Sequence, residues 1–461
     1  MQQELDLFRR IANKLIEAEK QEGVVKPIPV DELWDTLDLQ IQQDGLSEED
    51  FETLLTEVVL STPRTATTKF FNQLFGGRTP KATLGDLLAV MLNNSMYTYK
   101  VAGPQVGVEK AIIKEISSLV GYPETADGTI ASGGSMSNLI AMLMARDRKD
   151  PQARFKGSRK PLVAYTSAAS HYSISKNAAF LGVGRDNVRD IPTTPKGRMD
   201  PEALATQIAK DLEDGLEPFF INATAGTTVL GVFDPIHPLA DLAERFDLWL
   251  HVDGAYCGSV IFSKTYRHLV DGLDRADSFN LNAHKMMGTP LTCSIIVTKD
   301  RRHLSDSLSN EAEYLYQTDG DDFNLGKTSL QCGRRNDALK FWSLWKAVGS
   351  SGLEQMVDKQ FELAQTAMAY IENNPDYTVY SELPSISVCF NYKDIPAKTL
   401  CTALYENGSL MVGFGSFSND TFVRLVTINA GNSEQEIIDF FKTMESFVAQ
   451  NEAKLKAITG I

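Results

Sequence analysis

Lys285 sits in the run Asn280-Leu281-Asn282-Ala283-His284-Lys285-Met286-Met287-Gly288, a lysine beside a histidine with apolar residues and a glycine following. A lysine amine whose surroundings lower its pKa becomes a nucleophile and can hold an aldehyde cofactor as a Schiff base. A lysine alone signals little, because most lysines sit on solvated faces. The upstream run Leu248-Trp249-Leu250-His251-Val252-Asp253-Gly254-Ala255-Tyr256 gives it weight. An apolar strand there delivers Asp253 at its carboxyl end, where open α/β sheets bind ligands. A carboxylate in that setting needs a buried partner, and a protonated pyridine nitrogen is one. The pairing of such an aspartate with a lysine Schiff base is the protein's share of pyridoxal phosphate (PLP) chemistry.

Ser132-Gly133-Gly134-Ser135 stands where a strand enters a helix. Glycines let the backbone approach an anion, and the helix N-terminus offers unpaired N–H groups and a positive dipole end. A serine-capped βα turn without a ligand has the same pattern, and the run is not the G-x-G-x-x-G of dinucleotide sites. His171, in His171-Tyr172-Ser173-Ile174-Ser175-Lys176, follows an apolar strand, where a capping or core histidine is the commoner outcome. Lys176 would compete with Lys285 for an aldehyde but lies on the helix side of its motif. Thr224, in Asn222-Ala223-Thr224-Ala225-Gly226-Thr227-Thr228, ends another apolar strand, and its hydroxyl would support the cofactor or Asp253.

The runs His171–Lys176 and Asn222–Thr228, the Asp253 strand and Asn282-Ala283-His284-Lys285, four motifs in this chain order, resemble the PLP-dependent amino-acid decarboxylases of group II, and the resemblance runs from about Phe70 to about Ala430. It implies PLP fold type I: an α/β large domain with a mostly parallel sheet, a C-terminal α+β domain and an N-terminal helical arm that reaches across a homodimer. It implies that Gly134, Ser135 and His284 contact the phosphate, that His171 stacks on the ring, and that Ala255 packs beneath it. Thr224, Asp253, Asn282 and Lys285 complete the expected cofactor set. Lys285, His171 and Asp253 are the expected catalytic residues. No metal is expected.

The acidic amino-acid branch of the family supplies the substrate expectation. Phe70-Phe71-Asn72-Gln73-Leu74-Phe75-Gly76-Gly77 resembles its substrate-pocket stretch, and Arg424, in an alternating strand, matches an arginine that grips a substrate carboxylate bidentately. Gln73 is its expected neighbour. Phe75 matches the cysteine sulfinate decarboxylases, where glutamate-decarboxylating relatives carry a small residue, and so implies a pocket for aspartate, cysteine sulfinate or cysteate. Glutamate decarboxylation, or another fold-type-I reaction such as transamination, is the alternative; a silent PLP-fold binding protein is a third. The family's carbanion-protonating loop tyrosine aligns with Phe323, which has no proton to give, so that Tyr316 or His171 is the expected donor.

Alternating strands and helices supply the scaffold. Strands are expected at Leu162–Tyr165, Phe219–Ala223, Leu248–Val252 and Ser294–Thr298, with helices such as Pro201–Leu212 and Leu239–Phe246 between them, which implies a mostly parallel sheet. Ser47-Glu48-Glu49-Asp50 has a helix-capping signature. The expected division is a helical arm and dimerisation segment at residues 1–65, a PLP-binding domain at 66–346 and a small domain at 347–461. Asp319-Gly320-Asp321-Asp322 is the expected mobile loop.

Composition narrows the partners. The chain has 461 residues, 43% hydrophobic and 23% charged, with a formal net charge of −15. Clustered Lys and Arg would be needed for nucleic acid or an anionic membrane surface, so neither is an expected partner. A small acidic substrate remains compatible, because one buried arginine outweighs a distant screened field. Five cysteines with no CxxC pair point to a reducing compartment without disulfides or zinc. The amino terminus lacks a basic region followed by an apolar run, and no stretch approaches the length of a membrane span. A cytoplasmic protein is expected.

Overall fold

The computed structural model describes residues 1–309 and 321–459. Among these, twelve strands run in chain order as β1 (Phe70–Phe71), β2 (Asp127–Ala131), β3 (Leu162–Ser167), β4 (Val188–Ile191), β5 (Glu217–Thr224), β6 (Trp249–Gly254), β7 (Ser278–Asn282), β8 (Ser294–Thr298), β9 (Tyr377–Val379), β10 (Ser387–Tyr392), β11 (Met411–Phe417) and β12 (Asp420–Val426). They fall into two compact units. One comprises Met1–Gly77, Leu363–Ser381 and Ser387–Ile461; the other comprises Arg78–Glu362 and Glu382–Ile386.

The larger unit is built on a seven-stranded sheet in the order β2-β8-β7-β6-β5-β3-β4. Only β8 runs against its neighbours, pairing antiparallel with both β2 and β7, so the sheet is mostly parallel as expected. The helices Gly134–Lys149, Ser173–Phe180 and Arg301–Leu308 bring Ile140, Met144, Ile174 and Leu304 against Phe219, Phe220 and Trp249 in one buried cluster. Burying each large apolar side chain stabilises by roughly 1.5–3 kcal/mol, which holds the helices to the sheet. The helical stretch Ala338–Glu372 is broken at Gly349, whose φ of +69° lies outside the helical region.

The other unit has a five-stranded sheet in the order β1-β11-β12-β10-β9. β1 pairs parallel with β11, which is why Phe70 and Phe71 group with the C-terminal segment although they lie far from it in sequence. Its first helix covers Gln2–Gln21. The helix Glu48–Ser61 is capped as its sequence requires, with the Ser47 hydroxyl accepting from the Asp50 N–H at 3.1 Å. After Pro29 come one 3-10 turn, Val30–Glu32, and one helical turn, Leu33–Thr36.

Of the expected mobile loop, Asp319 and Gly320 lie outside the described residues, as do Tyr314 and Tyr316. Asp321–Phe323 is a 3-10 turn.

Candidate active site

Parallel register brings the expected cofactor residues to one edge of the large sheet. Thr224 of β5 lies opposite Asp253 of β6, and Asp253 opposite Asn280 of β7. Asn282 ends β7, and Lys285 follows three residues later, its backbone N–H donating to the Asn282 carbonyl at 3.0 Å. The Lys285 side chain is half-buried, with Nζ 5.9 Å from the centre of the Tyr256 ring. Lys176 is exposed, its Nζ 5.8 Å from the Phe180 ring centre.

An anion cradle opens beside this edge. The helix Gly134–Lys149 starts where β2 ends, and the first-turn N–H groups of Gly134 and Ser135 have no intrahelical acceptor. A Cβ on Gly134 would stand 2.9 Å from the Ala255 Cβ and 3.1 Å from Asn282 Nδ2, so only glycine keeps the backbone open there. The buried Asn282 Oδ1 has no hydrogen-bond partner among the described residues, which fits a ligand at this place. His284 Nδ1 accepts from the Cys293 N–H at 2.8 Å, which leaves the proton on Nε2 as a donor. A phosphate-bearing pyridine fits these residues: amides and an imidazole N–H for the anion, Ala255 as a small floor, and the Asp253 carboxylate for the ring nitrogen.

Asp253 is 4% exposed, and each of its oxygens accepts one hydrogen bond within the protein. Its Oδ1 accepts from the Ala255 N–H at 3.0 Å and its Oδ2 from Asn138 Nδ2 at 2.7 Å. His171 is half-buried, and burial lowers its pKa, with the Asp253 charge opposing and the Lys285 charge adding to that fall. Its Nδ1 accepts from the Ser173 N–H at 3.2 Å, and the ring lies 4.1 Å from that of Tyr172. Thr224 supports this loop: its hydroxyl meets Ser170 Oγ at 3.0 Å, while Asp253 is its partner through the backbone register. The sequence offered no sign of the parts played by Asn138 and Ser173. Polar residues at the start of a helix read as a solvated turn, yet Asn138 is 1% and Ser173 0% exposed.

Two histidines are held neutral by burial, His251 and His284, each with its pKa pushed down to about 4. An unfolded histidine titrates near 6.5, so the folded state binds fewer protons between the two values. Their contribution to stability is fully present above about pH 6.5 and is lost as pH falls toward 4. At pH 5 the loss is about 2 kcal/mol for each. Melting of the cofactor-free protein at pH 7 and pH 5 measures this, and His284→Asn is expected to shrink the difference; an unchanged difference overturns the assignment.

The expected substrate residues lie in the other unit. Arg424 of β12 stands in register with Gly413 of β11 and Cys389 of β10, and its Nη2 donates to the Asn72 carbonyl at 3.0 Å. Gln73, the next residue, is exposed. Phe75 is half-buried, its ring centre 6.1 Å from that of Phe70. Phe323, back in the larger unit, is 45% exposed, with its ring 5.8 Å from the Tyr99 ring centre and from Lys110 Nζ.

Residues 31–393 match the family model described as the pyridoxal-dependent decarboxylase conserved domain. The chain belongs to that family. The cofactor is therefore PLP, and the decarboxylase is a carboxy-lyase. It is 38% identical over 425 residues to the cysteine sulfinic acid decarboxylase of Mus musculus, covering 87% of this chain and 86% of the relative. It is 36% identical over 433 residues to the acidic amino acid decarboxylase GADL1 of Mus musculus, covering 89% and 78%. The crystal structure of mouse CSAD superposes with a TM-score of 0.91 at 35% identity, covering 96% of the decarboxylase and 97% of that chain. The Oryza sativa TDC structure with PLP and tryptamine reaches 0.89 at 23% identity, covering 96% and 97%, a likeness of fold. Fold type I and the resemblance to the acidic branch of group II are both borne out.

Proposed function

We propose that this enzyme removes the α-carboxylate of a short acidic amino acid, namely aspartate, cysteine sulfinate or cysteate, to give the amine and CO₂. Arg424 carries this reading: a strand arginine whose Nη2 donates to the Asn72 carbonyl has the planar guanidinium that pairs with a substrate's distal acid group. The 38% identity to a cysteine sulfinic acid decarboxylase supports the same substrate class.

Bound PLP supplies an electron sink for the pair left at Cα when CO₂ departs. Lys285 would contribute the amine that holds the cofactor. Asp253 keeps a proton on the ring nitrogen. The amides of Gly134 and Ser135, with the Nε2–H of His284, bind the phosphate, and Asn282, Thr224 and Ala255 shape the floor. His171 would stack on the ring, and its Nε2–H is one of the candidates, with Tyr316, for proton delivery to Cα at a site where Phe323 takes the place of the family's tyrosine. Arg424 and Gln73 orient the substrate, and Phe75 limits its length.

A homodimer belongs to this reading, with residues 1–65 as a dimerisation segment, 66–346 binding the cofactor and 347–461 forming the small domain. Leu84, Leu87, Leu88, Val90, Met91 and Leu92 of the helix Pro80–Leu92 are all exposed, an apolar face of the kind that a second copy covers. Five free thiols, four of them buried, support a reducing cytoplasmic setting. Among the described residues no helix is long and apolar enough to cross a membrane.

CO₂ release from a panel of acidic amino acids tests the reading. Aspartate, cysteine sulfinate or cysteate should exceed glutamate, and release from none of them overturns it. Phe75→Ser should raise activity on glutamate relative to the shorter acids by about tenfold or more, since one methylene is worth roughly 1–3 kcal/mol in such pockets. Arg424→Ala should instead lower kcat/KM for every acidic substrate alike. An unchanged ratio for Phe75→Ser removes that ring from the pocket.

A further inference from the structure

Asn138 uses all of its hydrogen-bonding capacity inside the protein. Its Nδ2 donates to Asp253 Oδ2 at 2.7 Å and to Ser173 Oγ at 3.1 Å. Its Oδ1 accepts from Asn280 Nδ2 at 2.6 Å and from His251 Nε2 at 3.1 Å. The orientation of the amide is forced. Turned over, it would set its oxygen against the Asp253 carboxylate and its NH₂ against two donors.

His251 is itself fixed in the tautomer this requires. Trp249 Nε1 donates to Ser278 Oγ at 2.9 Å, so the Ser278 hydroxyl gives its hydrogen to His251 Nδ1, also at 2.9 Å, and the ring proton stays on Nε2. The same logic runs the other way from Asn138. Ser173 Oγ receives the amide hydrogen and passes its own to His171 Nδ1 at 2.9 Å, where the Ser173 N–H also donates at 3.2 Å. Nδ1 of His171 is then an acceptor only, and its proton sits on Nε2.

We propose that Asn138 is a positioning residue that ties the two sides of the cofactor site together, holding the Asp253 carboxylate with one N–H and, with the other, orienting the Ser173 hydroxyl that joins the Ser173 N–H in holding His171 Nδ1 as an acceptor. No other residue type meets the demand at this length. Aspartate has no donor, leucine has neither donor nor acceptor, and glutamine is one carbon too long for a side chain 1% exposed. The inference rests on Asp253 and His171 being the cofactor's contacts. It places the setting of both in a residue whose own four hydrogen bonds all go to protein groups.

The test uses the full chain, with ¹⁵N-histidine labelling, which the count of six histidines makes tractable. In the wild-type protein without cofactor, His171 is expected to show the Nε2–H tautomer. Ser173→Ala keeps the Ser173 N–H on His171 Nδ1, so the Nε2–H tautomer should persist, with PLP affinity within about threefold because the Asp253 bond survives. Asn138→Ala should keep that tautomer, which reports an intact site, and weaken PLP binding about ten- to a hundredfold, the scale of removing a partner from a buried charged group. Asn138→Asp, which keeps the shape, should show the same loss, and it serves if the alanine variant does not fold. Wild-type PLP affinity in either Asn138 variant, or an equal loss of affinity in Ser173→Ala, overturns the inference. Variants that behave as expected in a protein that releases no CO₂ from acidic amino acids would sink the proposed function and leave this coupling standing.

Discussion

Lys285→Ala is expected to eliminate the borohydride-fixed attachment of PLP and to lower CO₂ release by at least about a thousandfold. The size follows from how firmly the lysine's backbone is held. The Lys285 N–H donates to the Asn282 carbonyl, and the Lys285 carbonyl accepts from the Gly288 N–H, both at 3.0 Å. Just beyond, Gln360 Nε2 donates to the Met286 carbonyl at 2.7 Å, and the fully buried Lys340 donates to the Pro290 and Thr292 carbonyls at 3.3 and 3.2 Å. A segment pinned at both ends delivers the amine to one place, and removing the amine leaves these bonds intact. The variant should therefore fold, and its lost activity reports chemistry. Borohydride reduction followed by peptide mapping gives the readout. Label on Lys176 in the wild type would overturn the assignment, although that side chain is exposed beside the Phe180 ring.

The sequence carried the sheet because its central strands are continuous apolar runs bounded by turn residues. Strand Ser294–Thr298 lies where the pattern puts it, and Leu248–Val252 is offset by one residue at its start and two at its end. What the pattern could not carry is β7, the strand that leads to Lys285. Ser278, Asn280 and Asn282 alternate with Phe279 and Leu281, which reads as a strand with one wet face, yet all five are buried. Their polar groups are satisfied sideways, as where Asn280 Nδ2 reaches Asn138 Oδ1 across 142 positions of sequence. Pairing of that kind has no local signature. The same reason hides Asn138 and Ser173, whose partners come from β6, β7 and the loop after β3. Lys285, Asp253 and His171 could be proposed from sequence because their residue types are needed for one chemistry and their spacing repeats a family's order. The residues that aim them could not.

Asp253→Asn is expected to lower CO₂ release by roughly a hundredfold or more, the scale of losing one positioned charge in an active site. Two effects contribute, and they can be separated. The first is structural: both carboxylate oxygens accept from N–H groups, Ala255 N and Asn138 Nδ2, so an amide NH₂ must face one donor. A buried donor left unpaired costs about 1–3 kcal/mol, which melting of the cofactor-free protein measures. The second is electrostatic: without the carboxylate nothing at β6 holds a proton on the ring nitrogen. Joining Asp253→Asn with Asn138→Asp separates the two. The pair restores a donor facing an acceptor between the two side chains, and the second oxygen of the introduced carboxylate still accepts from His251 and Asn280. Stability should return most of the way to wild type. Activity should not, because the charge now sits on the far side of the amide from the ring. Recovery of both together would mean that Asp253 matters for packing alone, and the ring-nitrogen role would have to be abandoned.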